Sequence, residues 1–213
     1  AMRNTENLES YIKQHTSAEP EYLYRLYRHT NLHHAYGRMC SGHVQGRMLK
    51  MLTSMVQPQR VLELGAFTGY STLCIAEGLP SGGHIHTVEI DDEWEDELRN
   101  TFAGSGYGES ITLHIGDALE VVPAIDEVWD MVFIDANKRL YTEYLEMVLP
   151  RVRKGGYVLA DNTLWDGKVL ENPMPADGQT RAIAAFNDAV AADPRVEAVM
   201  LPLRDGLTIL RKL

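Results

Sequence analysis

Val61-Leu62-Glu63-Leu64-Gly65-Ala66-Phe67-Thr68-Gly69-Tyr70-Ser71 passes from a short apolar run, through two glycines, into residues with helical spacing. A buried parallel strand hands over to its crossover helix in this way. Outward from that stretch, apolar runs predict strands at Arg60 to Leu64, His84 to Ile90, Ile111 to Ile115, Met131 to Asp135, Tyr157 to Ala160, Val196 to Leu201 and Leu207 to Arg211. Helical spacing predicts helices at Ser71 to Glu77, Asp92 to Ala103, Ala118 to Ala124, Leu140 to Leu149 and Gln179 to Ala191. Strand and helix in alternation make an α/β sheet covered by helices. The connection Pro202-Leu203-Arg204-Asp205-Gly206 has room only for a hairpin. The last strand of a seven-stranded, mostly parallel sheet is therefore expected to run antiparallel.

Upstream, from Ile12 to about Val56, apolar residues recur at helical intervals until Gln57-Pro58 ends the pattern. A chain of 213 residues suits one domain, divided here into a helical cap at 1–57 and an α/β core at 58–213. No apolar run approaches the roughly 20 residues of a membrane-spanning helix. The polar first residues lack the apolar stretch of a secretion signal, which makes cytoplasmic residence the expectation. Cys40 and Cys74 fit no metal spacing and are expected to be buried packing residues. With 20 Lys and Arg against 30 Asp and Glu, the net charge of −10 gives no overall basic footprint for nucleic acid.

The chemistry is expected at the carboxyl ends of the strands, where open α/β sheets bind ligands. Gly65 and Gly69 are expected to let backbone approach a ligand, but the third glycine of a dinucleotide fingerprint is missing and Glu63 precedes the turn. A carboxylate repels a pyrophosphate and suits a ligand carrying a sulfonium and an amine, such as S-adenosylmethionine. Glu89 ends the second strand, where an acid commonly accepts hydrogen bonds from ribose hydroxyls. Asp117, in Ile115-Gly116-Asp117-Ala118, suits either a helix N-cap or a contact to the adenine amino group, and the two roles are compatible.

Phe133-Ile134-Asp135-Ala136-Asn137-Lys138 and Leu159-Ala160-Asp161-Asn162-Thr163 follow two neighbouring strands. Asp135, Asp161 and Asn162 thus supply hard oxygen donors at one sheet edge, enough for about half an octahedral Mg²⁺ shell. A partly open shell suits an acceptor with two adjacent oxygens. Lys138 stands nearby either as a general base or as an exposed lysine in a surface ion pair. His29, His33 and His34 lie on a predicted helix without HExxH spacing or neighbouring Cys, so no zinc site is expected there. Met39, Met48, Met51 and Met55 at helical intervals are expected in the core or a pocket wall.

In this order, ELGAFTGYS, HTVEID, GDALEVVP, FIDANK, LADNTLW and DGLTIL, spread between Gly46 and Lys212, closely resemble the cation-dependent O-methyltransferases: the caffeoyl-CoA type with its bacterial relatives and, more distantly, the catechol type. The resemblance implies a class I, Rossmann-like S-adenosylmethionine-dependent methyltransferase sheet. It implies cofactor contacts from Met39, Val44, Glu63, Gly65, Tyr70, Ser71, Glu89, Ile90, Gly116, Asp117, Ala118 and Asp135. By the same carry-over Asp135, Asp161 and Asn162 hold Mg²⁺, or another divalent ion such as Mn²⁺ or Ca²⁺, and Lys138 with Asp135 forms the catalytic set. A small phenolic or vicinal-diol acceptor and a homodimer joined through the N-terminal helices are also implied.

This chain departs from the family pattern twice. Asn137 stands where many relatives carry an acid, and the Trp165 to Gly178 loop is short and unlike the plant pattern, which points away from caffeoyl-CoA itself. The rival resemblance is to methyltransferases acting on hydroxyuridine in tRNA. A local basic face from Arg25, Arg28, Arg38, Arg47 and Lys50 would serve that substrate.

Overall fold

A computed structural model describes residues 5–35 and 37–213, with the side chains of Thr5, Glu6 and Arg38 outside the description. Three helices come first: α1 (Thr5–Gln14), α2 (Glu21–His33) and α3 (Gly42–Val56). The alternating part follows as β1 (Arg60–Leu64), α4 (Tyr70–Gly78), β2 (His84–Glu89), α5 (Glu95–Gly104), β3 (Ile111–Ile115), α6 (Ala118–Val121), β4 (Trp129–Ile134), α7 (Tyr141–Val148), β5 (Val152–Asp161), α8 (Gly178–Ala192), β6 (Val196–Leu201) and β7 (Leu207–Lys212). The seven strands lie in the order β3-β2-β1-β4-β5-β7-β6. Strands β1 to β5 pair in parallel, and β7 runs antiparallel to both β5 and β6, as the hairpin length requires. No helix among the described residues is long and apolar enough to cross a membrane.

Alternation along the central strands splits the core. Leu62, Leu64, Val132, Ile134 and Val158 face Tyr141, Leu145, Ile183 and Phe186 of α7 and α8. Val61, Met131, Phe133 and Leu159 face Leu23, Leu49, Leu73 and Phe102 of α2 to α5. Each such side chain, fully buried, adds roughly 1.5–3 kcal/mol. The second cluster draws on α2 and α3, so the N-terminal helices share a core with the sheet.

The structure revises several expectations. Strand β5 begins at Val152, five residues before the predicted start, pairing with Trp129 ahead of a register shift. Exposed Arg153 and Lys154 and the Gly155-Gly156 pair hide that half of the strand from an apolar pattern. Met51 and Met55 are 56% and 73% exposed, because the buried face of α3 is set by Gln45, Gly46, Leu49 and Thr53 and both methionines point away from it. Both cysteines are free and buried, as expected. The Gly65 and Gly69 turn also has a packing cause that the sequence did not disclose. Gly65 has φ +95° and a Cβ there would land on the Asp135 carbonyl, while one at Gly69, with φ +87°, would meet the Phe102 ring at 2.7 Å. The glycines let the β1 turn pack against the β4 turn and α5.

Candidate active site

Both sequence-predicted acids of the first half are held by their own chain. Glu63 is fully buried, and its carboxylate accepts hydrogen bonds from Ser71 Oγ at 2.7 Å, Thr87 Oγ1 at 2.7 Å and Thr72 Oγ1. Burial nonetheless pushes its carboxyl from 4.5 up to about 7, because three hydroxyl bonds only partly replace lost hydration. Glu89, at the end of β2, accepts from the backbone N–H of Phe67 at 2.8 Å and of Asp91 at 3.1 Å. The β1 turn and the β2 turn are thereby locked together. Asp117 caps α6, accepting from Leu119 N at 2.9 Å.

A cavity opens above that lock, lined by Met39, Ser41, Gly65, Phe67, Tyr70, Ser71 and Asp135 among others. Of the predicted cofactor residues, Met39, Gly65, Tyr70, Ser71 and Asp135 meet there, with Glu63 directly behind Ser71. Val44 is half-buried on α3, whereas Glu89 and Ile90 close β2 and Gly116, Asp117 and Ala118 follow β3. Tyr70 turns its hydroxyl away, donating to Glu19 ahead of α2.

Asp135 is the hinge between this cavity and the other predicted site. Its Oδ1 accepts from Lys138 Nζ at 2.6 Å, and the same ammonium donates to the Tyr141 hydroxyl at 2.8 Å. Tyr141 in turn donates to the Asp161 carbonyl at 2.8 Å. Lys138 is therefore buried, 9% exposed, and not the exposed loop lysine of the alternative reading. Asp161 ends β5 almost fully buried, accepting from Gln45 Nε2 at 2.7 Å and from Asn162 N at 2.9 Å. Burial first, and the Asp135 charge second, push its carboxyl well above the usual carboxylate range. Asn162 sits at φ 61°, with its amide donating to Asp205 at 3.3 Å, which leaves the amide oxygen available as a donor to a cation.

Three participants escaped sequence reasoning. Tyr141 carries a faint signal, one helical turn after Lys138. Gln45 and Arg204 carry none, since they act across the fold: Arg204 Nη1 donates to Gln45 Oε1 at 3.0 Å and to the Ser41 carbonyl, fastening the β6–β7 hairpin to the start of α3. Two of the five cations expected on a local basic face are paired with acids. Arg47 makes a bidentate pair with Glu77 at 3.0 and 2.6 Å, and Arg25 pairs with Glu21; the Arg38 side chain lies outside the described residues.

Known proteins are similar to this chain in both sequence and fold. An O-methyltransferase family model matches residues 13–213. Caffeoyl-CoA O-methyltransferase of Petroselinum crispum is 34% identical over 209 residues, which cover 92% of this chain and 85% of that relative. The chain belongs to the caffeoyl-CoA-type O-methyltransferase family. Tricin synthase 2 of Oryza sativa subsp. japonica is 35% identical over 191 residues, covering 84% of this chain and 65% of the relative's length. Among solved structures, the O-methyltransferase TomG of Streptomyces achromogenes, in complex with SAM, superposes with a TM-score of 0.88 at 27% identity, covering 100% of this chain and 99% of that one. The enzyme is an S-adenosylmethionine-dependent O-methyltransferase, and its sheet is the class I methyltransferase sheet.

Proposed function

We propose that the methyltransferase acts on a hydroxyl of a small phenolic, preferably an aromatic with two adjacent hydroxyls, with help from a divalent cation. One observation carries this reading: Asp135 lines the cofactor cavity and also holds Lys138, beside the buried Asp161 on the next strand. The donor set fits a hard cation, since the buried Asp161 carboxylate, its proton affinity raised by burial and by the neighbouring Asp135 charge, is relieved by a positive charge, and the Asn162 amide adds a neutral oxygen. Asp135, Asp161 and Asn162 would hold Mg²⁺, Mn²⁺ or Ca²⁺. Bound there, such an ion supplies Lewis acidity that eases ionisation of a phenol.

The chain's own residues do the remainder. The cavity beside Asp135 would hold the cofactor, and Lys138 takes the acceptor's proton at Nζ after yielding its own proton to solvent. The acceptor oxygen forms the new C–O bond as the C–S bond breaks, and the electron pair returns to sulfur, giving S-adenosylhomocysteine. Tyr141 stays protonated, because full burial raises its pKa far above the ordinary phenol range, and so fixes Lys138 without competing for the proton. Methylation of caffeate, dihydroxybenzoate and caffeoyl-CoA should be assayed with labelled cofactor, with and without chelator. Transfer that survives complete chelation would remove the cation from the reading.

The tRNA alternative is weakened by the pairing of two of its five cations, Arg25 and Arg47. A homodimer through the N-terminal helices gains some: α1 to α3 expose Tyr11, Tyr24, Leu32, Met51 and Met55, which sedimentation should find covered in a dimer. Two free buried thiols suit a reducing compartment such as the cytoplasm.

A further inference from the structure

Outside the site described above, one cluster of ligating side chains bridges two helices. Among the described residues, His29, His34 and Glu97 are the one group of three His, Cys, Asp or Glu whose ligand atoms all lie within 4.8 Å of one another. Glu97 Oε1 of α5 stands 3.1 Å from His34 Nε2 and 3.9 Å from His29 Nε2, both at the end of α2. Donors bound tetrahedrally to Zn²⁺ at about 2.0–2.1 Å sit about 3.3 Å from one another. The two measured separations bracket that value.

The cluster is also shaped. The His34 ring is packed against Trp94 at 4.6 Å and Phe67 at 5.9 Å, and its side chain is only 9% exposed, so its Nε2 is held toward Glu97. His29 is 54% exposed, which leaves the outer side of the cluster open to water or to His33, whose ring lies 4.4 Å from that of His29. Two imidazoles and one carboxylate are the donor set of Zn²⁺, Co²⁺ or Ni²⁺ and are poorly matched to Mg²⁺. The helical spacing of the histidines alone carries no zinc signal, because the third ligand comes from 63 positions away.

We propose that His29, His34 and Glu97 bind a zinc-class divalent cation, at a site separate from the all-oxygen set of Asp135, Asp161 and Asn162. An ion held there ties α2 of the cap to α5 of the core beside Phe67, a wall of the cofactor cavity.

The test is a Co²⁺ titration of the full chain, freed of metal and kept in excess Mg²⁺ so that the oxygen site is filled. One Co²⁺ per chain with an intense visible band of low coordination number, displaced by Zn²⁺, is expected. His29→Ala, at an exposed position that leaves folding intact, and Glu97→Gln, which keeps its shape, should each weaken binding by about 100-fold or more, since loss even of an outer partner costs at least about tenfold. Asp161→Asn should leave the band in place. Absence of the band at stoichiometric cobalt overturns the site, as does a band that survives both His29→Ala and Glu97→Gln.

Discussion

The two ends of the cleft treat their carboxylates in opposite ways. At the β1–β2 end, Glu63 takes three hydroxyl bonds and Glu89 takes two backbone N–H bonds, so the chain itself fills their lone pairs. At the β4–β5 end, Asp135 takes the Lys138 ammonium while Asp161 takes only the neutral donors Gln45 Nε2 and Asn162 N–H, and burial first and the Asp135 charge second raise the proton affinity of Asp161. The first end is a scaffold completed by folding. The second carries negative charge that folding does not fully neutralise, as the proposed cation and ionising substrate would require.

The contrast breaks most sharply at Asp161. Asp161→Ala is expected to slow methyl transfer by about 10³-fold, the scale of removing a preorganised charge from a reacting centre, while calorimetric S-adenosylmethionine affinity hardly moves. Equal losses in both would mean that the two ends work as one. At the opposite end, Glu63→Gln should alter stability and not chemistry, because an amide still bonds to rotatable hydroxyls. Glu63 has a folded pKa raised from 4.5 to about 7. Its contribution is therefore fully present below about pH 4.5 and is lost as pH rises through about 7, by up to about 3 kcal/mol. Denaturant titrations at pH 5 and 8 should show wild type losing more stability than Glu63→Gln over that interval; parallel losses would contradict a desolvated carboxyl.

The same contrast explains what sequence could disclose. The placement of Asp135, Asp161 and Asn162 at neighbouring strand ends was legible because strand ends can be located from apolar runs. The antiparallel direction of the last strand followed from connection length. A second reason for glycine at 65 escaped the sequence, since the atom a side chain there would meet is the Asp135 carbonyl, 70 positions away and invisible to local pattern. Gln45 and Arg204 were missed for the same reason. Met51 and Met55 share the helical period of the buried residues but not their phase, and only the packed face of α3 fixes the phase.

Lys138 sharpens the chemical end. Lys138→Met should lower kcat by about 10²-fold, the lower range for a positioned acid or base. If the amine takes the proton, the deficit shrinks as rising pH ionises the phenol without help. A deficit constant with pH would reassign Lys138 to holding Asp135 in place, which its 2.6 Å bond also accomplishes.

The smallest effect belongs to Asp117, where the scaffold end meets the cofactor. Its carboxylate caps α6 through Leu119 N, so Asp117→Ala should cost about 1 kcal/mol in stability. Asp117→Ser keeps a capping oxygen but is one atom shorter, and so separates the cap from a contact to adenine. Unchanged melting with weaker S-adenosylmethionine binding in the serine variant would show the carboxylate reaching the cofactor as well. Unchanged binding would leave Asp117 wholly structural, like Glu63, and confine ligand contacts at this end of the cleft to the cavity wall of Met39, Gly65, Tyr70 and Ser71.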